Sequence, residues 1–500
     1  MVKHALKADS ELASSQPDVS PPSAMPPSQQ HFYDRVLLFP TLCNSKEYEP
    51  WKRYFFTGIV SLAAVAAPLQ SNILLPALSE ISTYFQVSRS LVNLSVAFYI
   101  LAMGIIPLWW SVISELYGRR PVYLISFAIF VVWNVVSAES ISISMLIVMR
   151  VLCGGASASV QAVGAGTVAD LWEVERRGQA MGYFFLGPMV GPLVSPILGG
   201  ILTEKLGWRA TQWATVVYGA IVWLLILFCL PETSQAAARK PPSSSCSSQE
   251  GSKAILSQIH RIVSIFLEPF KILAYLQFPP VLLTVYYASS TFACYYAVSI
   301  TLQTLFSEAP YSFSPIIVGL VYIPCALGSI VASLLGGRWT DHIMRRRAKS
   351  AGRVNPETGQ IQYLPGDRMG ENAWLASVMY PAAGLWFGWT IDKGIFWLVP
   401  CIATFFFGLG SSTVFSMTST MLTELLPGRT STGVALNNVL RNALACVVVV
   451  VMQPLINAIG PRWIFTGLAV IGWASIGIIW LFRRNAVAWA ADVESELASR

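Results

Sequence analysis

The chain has 500 residues, of which 54% are hydrophobic and 12% charged, and its mean hydropathy is +0.56. Because an average soluble domain carries about twice that fraction of charged residues, this composition excludes a soluble protein and indicates an integral membrane protein. The net charge of +7 does not indicate a nucleic-acid partner, since its meaning depends on where the charges lie along the chain.

The chain begins with a polar segment, residues 1–53, which we expect to be a disordered cytoplasmic tail because it is rich in serine and proline and has no apolar signal-peptide region. Long apolar runs of about 20 residues follow, each enough to cross a hydrocarbon core of roughly 30 Å. The runs are continuous rather than alternating, which predicts helices and not the strands of a barrel. The first six, spans 1 to 6, are predicted at 54–77, 91–113, 121–138, 144–169, 179–202 and 210–230.

Residues 231–278 have the composition of a cytoplasmic linker between these spans and a second set. Within the linker, "ILSQIHRIVSIFLEPFKIL" is predicted to form an amphipathic helix on the membrane surface. Spans 7 to 12 are predicted at 279–306, 316–337, 372–391, 394–422, 430–458 and 461–482. The sequence therefore predicts one six-helix bundle at 54–230, a second at 279–482, and a cytoplasmic tail at 483–500.

The basic residues test this number of spans, because cytoplasmic loops carry an excess of Lys and Arg. With both chain termini in the cytoplasm, 26 of the 33 Lys and Arg residues lie on the cytoplasmic side and five lie outside. The other two, Arg150 and Arg441, lie within spans. This bias has the expected direction, so we predict that both termini are cytoplasmic.

The stretch "WSVISELYGRRPVY", residues 110 to 123, forms the short cytoplasmic loop between spans 2 and 3. Gly118 allows a tight turn, Pro121 suits the first turn of the next helix, and Arg119 and Arg120 hold the turn in the headgroup region. None of this requires Glu115, and an unpaired carboxylate at the end of a span is costly. We therefore expect Glu115 to have a partner nearby.

Four segments, in the right order and loops, resemble the signatures of the major facilitator superfamily, in the form seen in fungal drug:proton antiporters with twelve spans (the quinidine-resistance-like branch). They are the loop just quoted, its degenerate copy "GGRWTDHIMRRR", the span-4 segment "MLIVMRVLCGGASASVQAVGAGTVADLW", and the span-5 segment "GYFFLGPMVGPLVSPILGG". "LPET" after span 6 also resembles this family. The resemblance implies an all-α integral membrane fold, with twelve transmembrane helices in two pseudo-symmetric six-helix bundles.

The resemblance also implies roles for individual residues. It assigns Arg150 to proton coupling, and the cost of an arginine inside the membrane favours function over the alternative, a guanidinium that pairs with backbone carbonyls and holds helices together. Acids at the cytoplasmic helix ends would form a gate with loop arginines; the alternative is a static salt bridge. The gate residues are Glu115, Asp170, Arg119, Arg120, Asp341 and Glu424. The antiporter segment of span 5 contains Gly187, Pro188, Gly191, Pro192, Gly199 and Gly200.

A substrate cavity is predicted where the two bundles face one another near the membrane midplane. Its candidate residues are Gln70, Asn72, Gln161, Tyr286, Tyr287, Tyr295, Asn437, Asn438 and Arg441. Aromatic rings with a few amides suit amphipathic or cationic organic molecules, whereas Arg441 could favour an anionic solute. For any single aromatic residue here, lipid contact or helix packing is an equal alternative.

The eight cysteines show no CxxC spacing, and the four histidines lie outside the spans or in loops. We therefore expect no zinc site, no disulfide framework, no histidine proton relay and no cofactor. No nucleophile–base pair stands out, so an enzyme is not expected.

The sequence favours a proton-coupled exporter of small organic molecules (drugs, toxins, weak acids, polyamines or a secondary metabolite) that works by alternating access. Its partners would be the substrate, protons and the lipid bilayer. We expect a monomer in the plasma membrane, with the vacuolar membrane as the alternative location. Two alternatives stay open: a proton symporter or facilitator that imports a solute and, ranked below it, a non-transporting membrane sensor.

Overall fold

The computed structural model describes residues 37–42, 44–234, 268–350, 352–353, 370–425 and 430–499. The long elements in these ranges are helices, and ten stretches of helix are long and apolar enough to cross a membrane. Every predicted span falls on a helix. Span 9 is not among the ten, and spans 11 and 12 are two limbs of one helix that is counted once. The predicted all-α membrane fold is confirmed.

Spans 1 and 2 of the first half break at or just before prolines, because proline lacks the N–H group that continues a helix, whereas span 4 breaks at Ala158 with no proline nearby. Span 1, for example, bends through a short 3-10 turn at Leu75–Ala77, which contains Pro76. The helices of spans 1 to 6 are Pro50–Ala64, Ala66–Ile73 and Leu78–Phe85; Arg89–Ile105 and Pro107–Tyr117; Arg119–Ala138; Ile143–Ser157 and Ser159–Leu171; Val174–Leu206; and Trp208–Cys229.

The second half follows a 3-10 helix at Glu268–Gln277, which contains the end of the predicted amphipathic segment; the rest of that segment lies outside the described residues. The helices of spans 7 to 12 are Pro279–Phe306; Pro315–Leu320 and Ile323–Ser350; Glu371–Asp392; Leu398–Leu425; and Thr430–Ser499. The last helix turns at Gly460, whose φ of 77° favours glycine, and this turn separates span 11 from span 12. Its second limb continues through the predicted C-terminal tail.

The predicted N-terminal tail is partly ordered. Leu42 and Tyr48 are buried, the first helix begins at Pro50, and the Ser45 hydroxyl donates to the carbonyl oxygen of Thr233 at 2.8 Å. These contacts tie the entry to span 1 to the segment that follows span 6. Residues 1–36, where the rest of the tail was predicted, lie outside the described residues.

Consecutive spans run antiparallel, so the bundle has two ends, which we name after the loops between spans. The Gly118 end carries the turn between spans 2 and 3, and the Arg89 end carries the turn between spans 1 and 2. One apolar core runs through the second half and continues into the first half at the Arg89 end. The first half has a separate core toward the Gly118 end. The halves therefore share packing at the Arg89 end and are packed separately at the Gly118 end.

The outer surface of the helices is apolar, as expected where helices meet lipid. Large hydrophobic side chains are exposed along several spans, for example Val217, Ile221, Leu327, Val447 and Val470. A chain with such a surface and with many long apolar helices is a multi-pass membrane protein.

Candidate transport pathway

Arg119 joins three helix ends at the Gly118 end. The turn itself places Gly118 at a φ of 99°, a conformation that favours glycine. The Arg119 guanidinium donates from Nη1 to Ser114 Oγ at 2.7 Å and from Nε to Asp170 Oδ2 at 3.2 Å. The structure thus brings together two of the predicted gate residues, and their ion pair links the start of span 3 to the end of span 4.

Glu232, which the sequence analysis did not single out as a site residue, caps the start of span 3. Its carboxylate accepts backbone N–H bonds from Arg119 at 2.9 Å, Arg120 at 3.1 Å, Thr233 at 2.9 Å and Ser234 at 2.8 Å. Burial raises the pKa of the Glu232 carboxyl above its ordinary value, and the backbone donors oppose that rise. Glu232 is the acid of "LPET", the segment already noted as similar to this family, and that similarity was the sequence signal that could have identified it.

The remaining predicted gate residues are not all placed in contact. Arg120 is buried and donates from Nη2 to the carbonyl oxygen of Leu227 at 2.7 Å. Glu115 is exposed, and within the described ranges no partner of its carboxylate is found, so the partner expected nearby is not seen. The side chains of Asp341 and Glu424 lie outside the described part of the structure.

Arg150 lies fully buried in span 4, against span 1. Its Nη1 donates to the carbonyl oxygen of Gln70 at 2.9 Å, and its Cζ lies 4.5 Å from the centroid of the Tyr99 ring. Nε and Nη2 have no partner among the described residues. The carbonyl contact is the one that a helix-holding arginine would make, but two donors are left over for another group.

The polar residues of span 1 take different positions around Arg150. The Gln70 side-chain amide donates to Asn134 Oδ1 of span 3, and Asn72 donates to the carbonyl oxygen of Pro68 in its own helix at 2.8 Å. Ser71 shares a hydrogen bond of 2.9 Å with the Tyr296 hydroxyl of span 7. This last bond crosses from the first half to the second at the middle of both spans.

The predicted aromatic and amide residues fall into two groups. Tyr295 stacks on Phe292 with ring centroids 6.2 Å apart, next to Tyr296 at the interface. Tyr287 is buried and hydrogen-bonded to Ser377 of span 9, inside the second half. Outside these contacts, Tyr286 is 43% exposed and Gln161 of span 4 is half-buried.

Span 11 supplies another buried cation. The Cζ of Arg441 lies 4.3 Å from the centroid of the Phe292 ring and 4.8 Å from that of Phe415. Its predicted neighbours are placed differently, since Asn437 is buried and Asn438 is half-buried. Span 11 packs closely on span 2: a Cβ on Gly104 would lie 2.5 Å from Asn442 Cβ.

The glycines of span 5 allow backbone contact with neighbouring helices. A Cβ on Gly187 or Gly199 would lie 2.0 Å or 2.1 Å from a carbonyl oxygen of span 1, and Gly191 packs on Pro68 of the same span. A Cβ on Gly200 would lie 2.3 Å from the carbonyl oxygen of Pro315 in span 8. Span 5 therefore touches both halves. Its prolines, Pro188 and Pro192 among them, lie inside one continuous helix.

Polar contacts join the halves at the Arg89 end. Arg89 forms an ion pair of 2.6 Å with Glu308, and Gln303 donates to Ser79 Oγ at 3.0 Å. The carboxylate of Glu204 accepts the backbone N–H of Ile316 at 3.1 Å, at the start of span 8. Both kinds of contact can break and re-form without loss of helical structure.

No group of three His, Cys, Asp or Glu side chains in the described ranges is arranged to hold a metal ion. The cysteines at 153, 229, 294, 325, 401 and 446 are free and buried.

Two helical halves that share a buried polar centre, with polar contacts between them at one end, are the arrangement expected of a membrane transporter. The family profile of the Major Facilitator Superfamily matches residues 60–391, and the chain belongs to this superfamily. The family predicted from the four motifs is thereby confirmed. Its members are membrane transporters and not enzymes.

Individual relatives support the same family assignment. The chain is 57% identical to "MFS transporter OpS2" of Beauveria bassiana, over 67% of this chain and 98% of the relative. It is 31% identical to "MFS antiporter QDR3" of Candida albicans, over 90% of this chain and 80% of the relative. Among solved structures, a D-xylose–proton symporter has the same fold, with a TM-score of 0.62 and 13% identity over 85% of this chain and 97% of that chain.

Proposed function

We propose that the chain is a proton-coupled exporter that moves small organic molecules by alternating access between its two six-helix halves. The observation that carries the proposal is the uneven contact between the halves. They share a core and polar contacts at the Arg89 end, whereas the first half has its own core toward the Gly118 end. A transporter that alternates needs contacts of this kind, which can be made at one end while the other is apart.

Export and proton coupling are supported by two further features. The span-5 segment resembles the antiporter signature, and its glycines bring span 5 against spans 1 and 8. The Candida albicans relative is named as an antiporter. In the proposed cycle, a proton favours one arrangement of the halves and the substrate favours the other, so each must bind the two states with different affinity.

Arg150 is the proposed coupling residue, and the Arg119–Asp170 pair is proposed as part of the gate at the Gly118 end. Arg150 is buried in the first half, and two of its three guanidinium nitrogens, Nε and Nη2, have no described partners. The Arg119–Asp170 bridge links two helix ends that would move together.

An efflux assay tests the proposal. A yeast strain that lacks its own exporters is loaded with radiolabelled quinidine, spermidine, benzoate or citrate, with and without the expressed chain. We expect lower accumulation of at least one compound on expression, and a protonophore should remove the difference. Arg150→Ala should lose this efflux while the protein still reaches the membrane. Accumulation that rises on expression would favour the alternative, an importing symporter or facilitator; efflux that resists the protonophore would contradict proton coupling.

A further inference from the structure

Two cations lie buried where the halves meet. Arg150 of span 4 belongs to the first half and is 0% exposed, and Arg441 of span 11 belongs to the second half and is 8% exposed. The acidic side chains within the described ranges lie near the ends of the long helices rather than beside these arginines. A buried guanidinium without a counter-charge is costly, and intramembrane charges commonly mark a substrate path.

The described residues supply hydrogen-bond acceptors for only some of the N–H groups of these two guanidiniums. Arg150 has one hydrogen bond, to the Gln70 carbonyl, and Nε and Nη2 have none among the described residues; Arg441 Nε is also without a described partner. Aromatic faces also contact the two guanidinium groups: Tyr99 contacts Arg150, and Phe292 and Phe415 contact Arg441. Cation–π contact favours the charge, but it does not occupy the in-plane N–H donors.

Tyr296 connects the surroundings of the two arginines. Its hydroxyl bonds Ser71, the residue after Gln70, at 2.9 Å, and its ring meets Phe292 edge to face with centroids 5.1 Å apart. A path of direct contacts therefore runs from Arg150 through span 1 and Tyr296 to Phe292 and Arg441.

We propose that Arg150 and Arg441 form a binding site for an organic anion that carries carboxylate groups. Carboxylate oxygens match the planar N–H donors of a guanidinium and supply the missing counter-charge. The rings of Phe292, Tyr295 and Phe415 would pack against the apolar part of the same molecule. This inference rests on the proposed transport function, because it names the class of substrate that such a transporter would carry.

Binding to the purified full chain in detergent tests the inference without any transport step. Titration calorimetry compares benzoate and citrate with neutral benzamide, cationic benzyltrimethylammonium and inorganic sulfate. We expect the carboxylates to bind, and benzamide and the cation to bind at least about tenfold more weakly than benzoate. Sulfate binding in the absence of carboxylate binding would overturn the assignment to an organic anion.

Variants then locate the site. Arg441→Gln should weaken citrate binding by at least about tenfold, and Arg441→Lys should keep part of it, because lysine retains charge but not the planar donors. Arg462→Gln is the matched control, since Arg462 lies at the Arg89 end, half exposed and paired with Asp392. It should leave citrate binding unchanged. Size-exclusion chromatography checks that each variant is folded; if Arg441→Gln is not, Arg441→Lys and the analogue series on the unchanged chain decide.

Several results would overturn the inference: no carboxylate binding to the unchanged chain, equal binding of benzoate and benzamide, or citrate binding that a folded Arg441 variant leaves intact. These failures are separate from failure of the proposed function. Quinidine or spermidine efflux without carboxylate binding would overturn the anion site and leave the exporter standing. Carboxylate binding without any efflux in cells would keep the site and contradict the exporter.

Discussion

At the Gly118 end, the carboxylates of Glu232 and Asp170 join helix ends through hydrogen bonds. Glu232 accepts four backbone N–H groups, two of them from the first residues of span 3. Those donors have no partner within the helix that they begin, so an acceptor beside them removes the cost of leaving them without a hydrogen bond. Arg119 then links the same turn to Asp170. Glu232 caps the turn, and the Arg119–Asp170 pair is the contact that we propose opens.

The first prediction concerns Glu232. In Glu232→Gln an NH2 group replaces one acceptor oxygen and faces a backbone N–H donor. We expect the free energy of unfolding to fall by about 1–3 kcal/mol, the usual cost of an unsatisfied buried donor. Thermal unfolding of the detergent-purified protein measures this as a lower midpoint. Glu139→Gln, at an exposed helix end, is the control and should leave the midpoint unchanged. An unchanged midpoint in Glu232→Gln would mean that the capping bonds do not stabilise the fold.

At the scale of the helix, span 5 shows how small residues set the distance between elements. Its glycines touch backbone atoms of span 1 on one side and of span 8 on the other. The contact with span 8 is reciprocal, because a Cβ on Gly319 would lie 2.3 Å from the carbonyl oxygen of Pro196. Span 5 is therefore one of the elements through which the two halves contact each other directly.

The second prediction follows from that contact. In Gly200→Ala the new methyl group meets the backbone of Pro315, which cannot move aside as a flexible side chain could. Overpacking of this kind costs about 1–3 kcal/mol, and here the cost falls on the state that is closed at the Arg89 end. Efflux should therefore slow. Gly182→Ala lies on the same helix with nothing within 4 Å and should transport normally. Equal efflux rates for the two variants would show that this contact does not matter for the cycle.

The helices could be predicted from the sequence because their signal is local: a continuous apolar run long enough to cross a bilayer needs little tertiary information. The arrangement of the site residues was harder to predict from the sequence. Tyr286 and Tyr287 are adjacent in sequence, but about 100° of helical rotation places one at an exposed position and the other in the interior. Sequence patterns do not fix that rotation. Nor could they pair Arg89 with Glu308, two residues of different halves whose contact depends on the packing of entire bundles.

For the whole molecule, the contacts between the halves and the orientation in the membrane together determine which side of the membrane is closed. The excess of Lys and Arg in the predicted cytoplasmic loops indicates that the Gly118 end faces the cytoplasm. The halves are joined at the Arg89 end, so the structure corresponds to a state that is closed toward the outside under that orientation. An exporter in this state would load its substrate from the cytoplasm.

Orientation gives the third prediction. Ile141, 84% exposed in the loop between spans 3 and 4, lies at the Arg89 end, and Tyr117, 66% exposed, lies at the Gly118 end. In intact cells, a membrane-impermeant maleimide should label Ile141→Cys and not Tyr117→Cys, while permeabilised cells should show both. The reverse pattern would place the Gly118 end outside and would contradict both the orientation and the direction of export.

Alternation of the two halves can be followed with pairs of spin labels at the two ends of one molecule. Double electron–electron resonance would follow Tyr84→Cys with Phe396→Cys at the Arg89 end, and Tyr117→Cys with Lys349→Cys at the Gly118 end, all exposed positions, in a chain without its native cysteines. Neutral and mildly acidic samples are compared, and Arg89→Gln removes the ion pair with Glu308. If the halves alternate, the two distances change in opposite directions: as the distance at the Arg89 end lengthens, the distance at the Gly118 end shortens. Distances that stay fixed at both ends, or that change in the same direction, would contradict alternation.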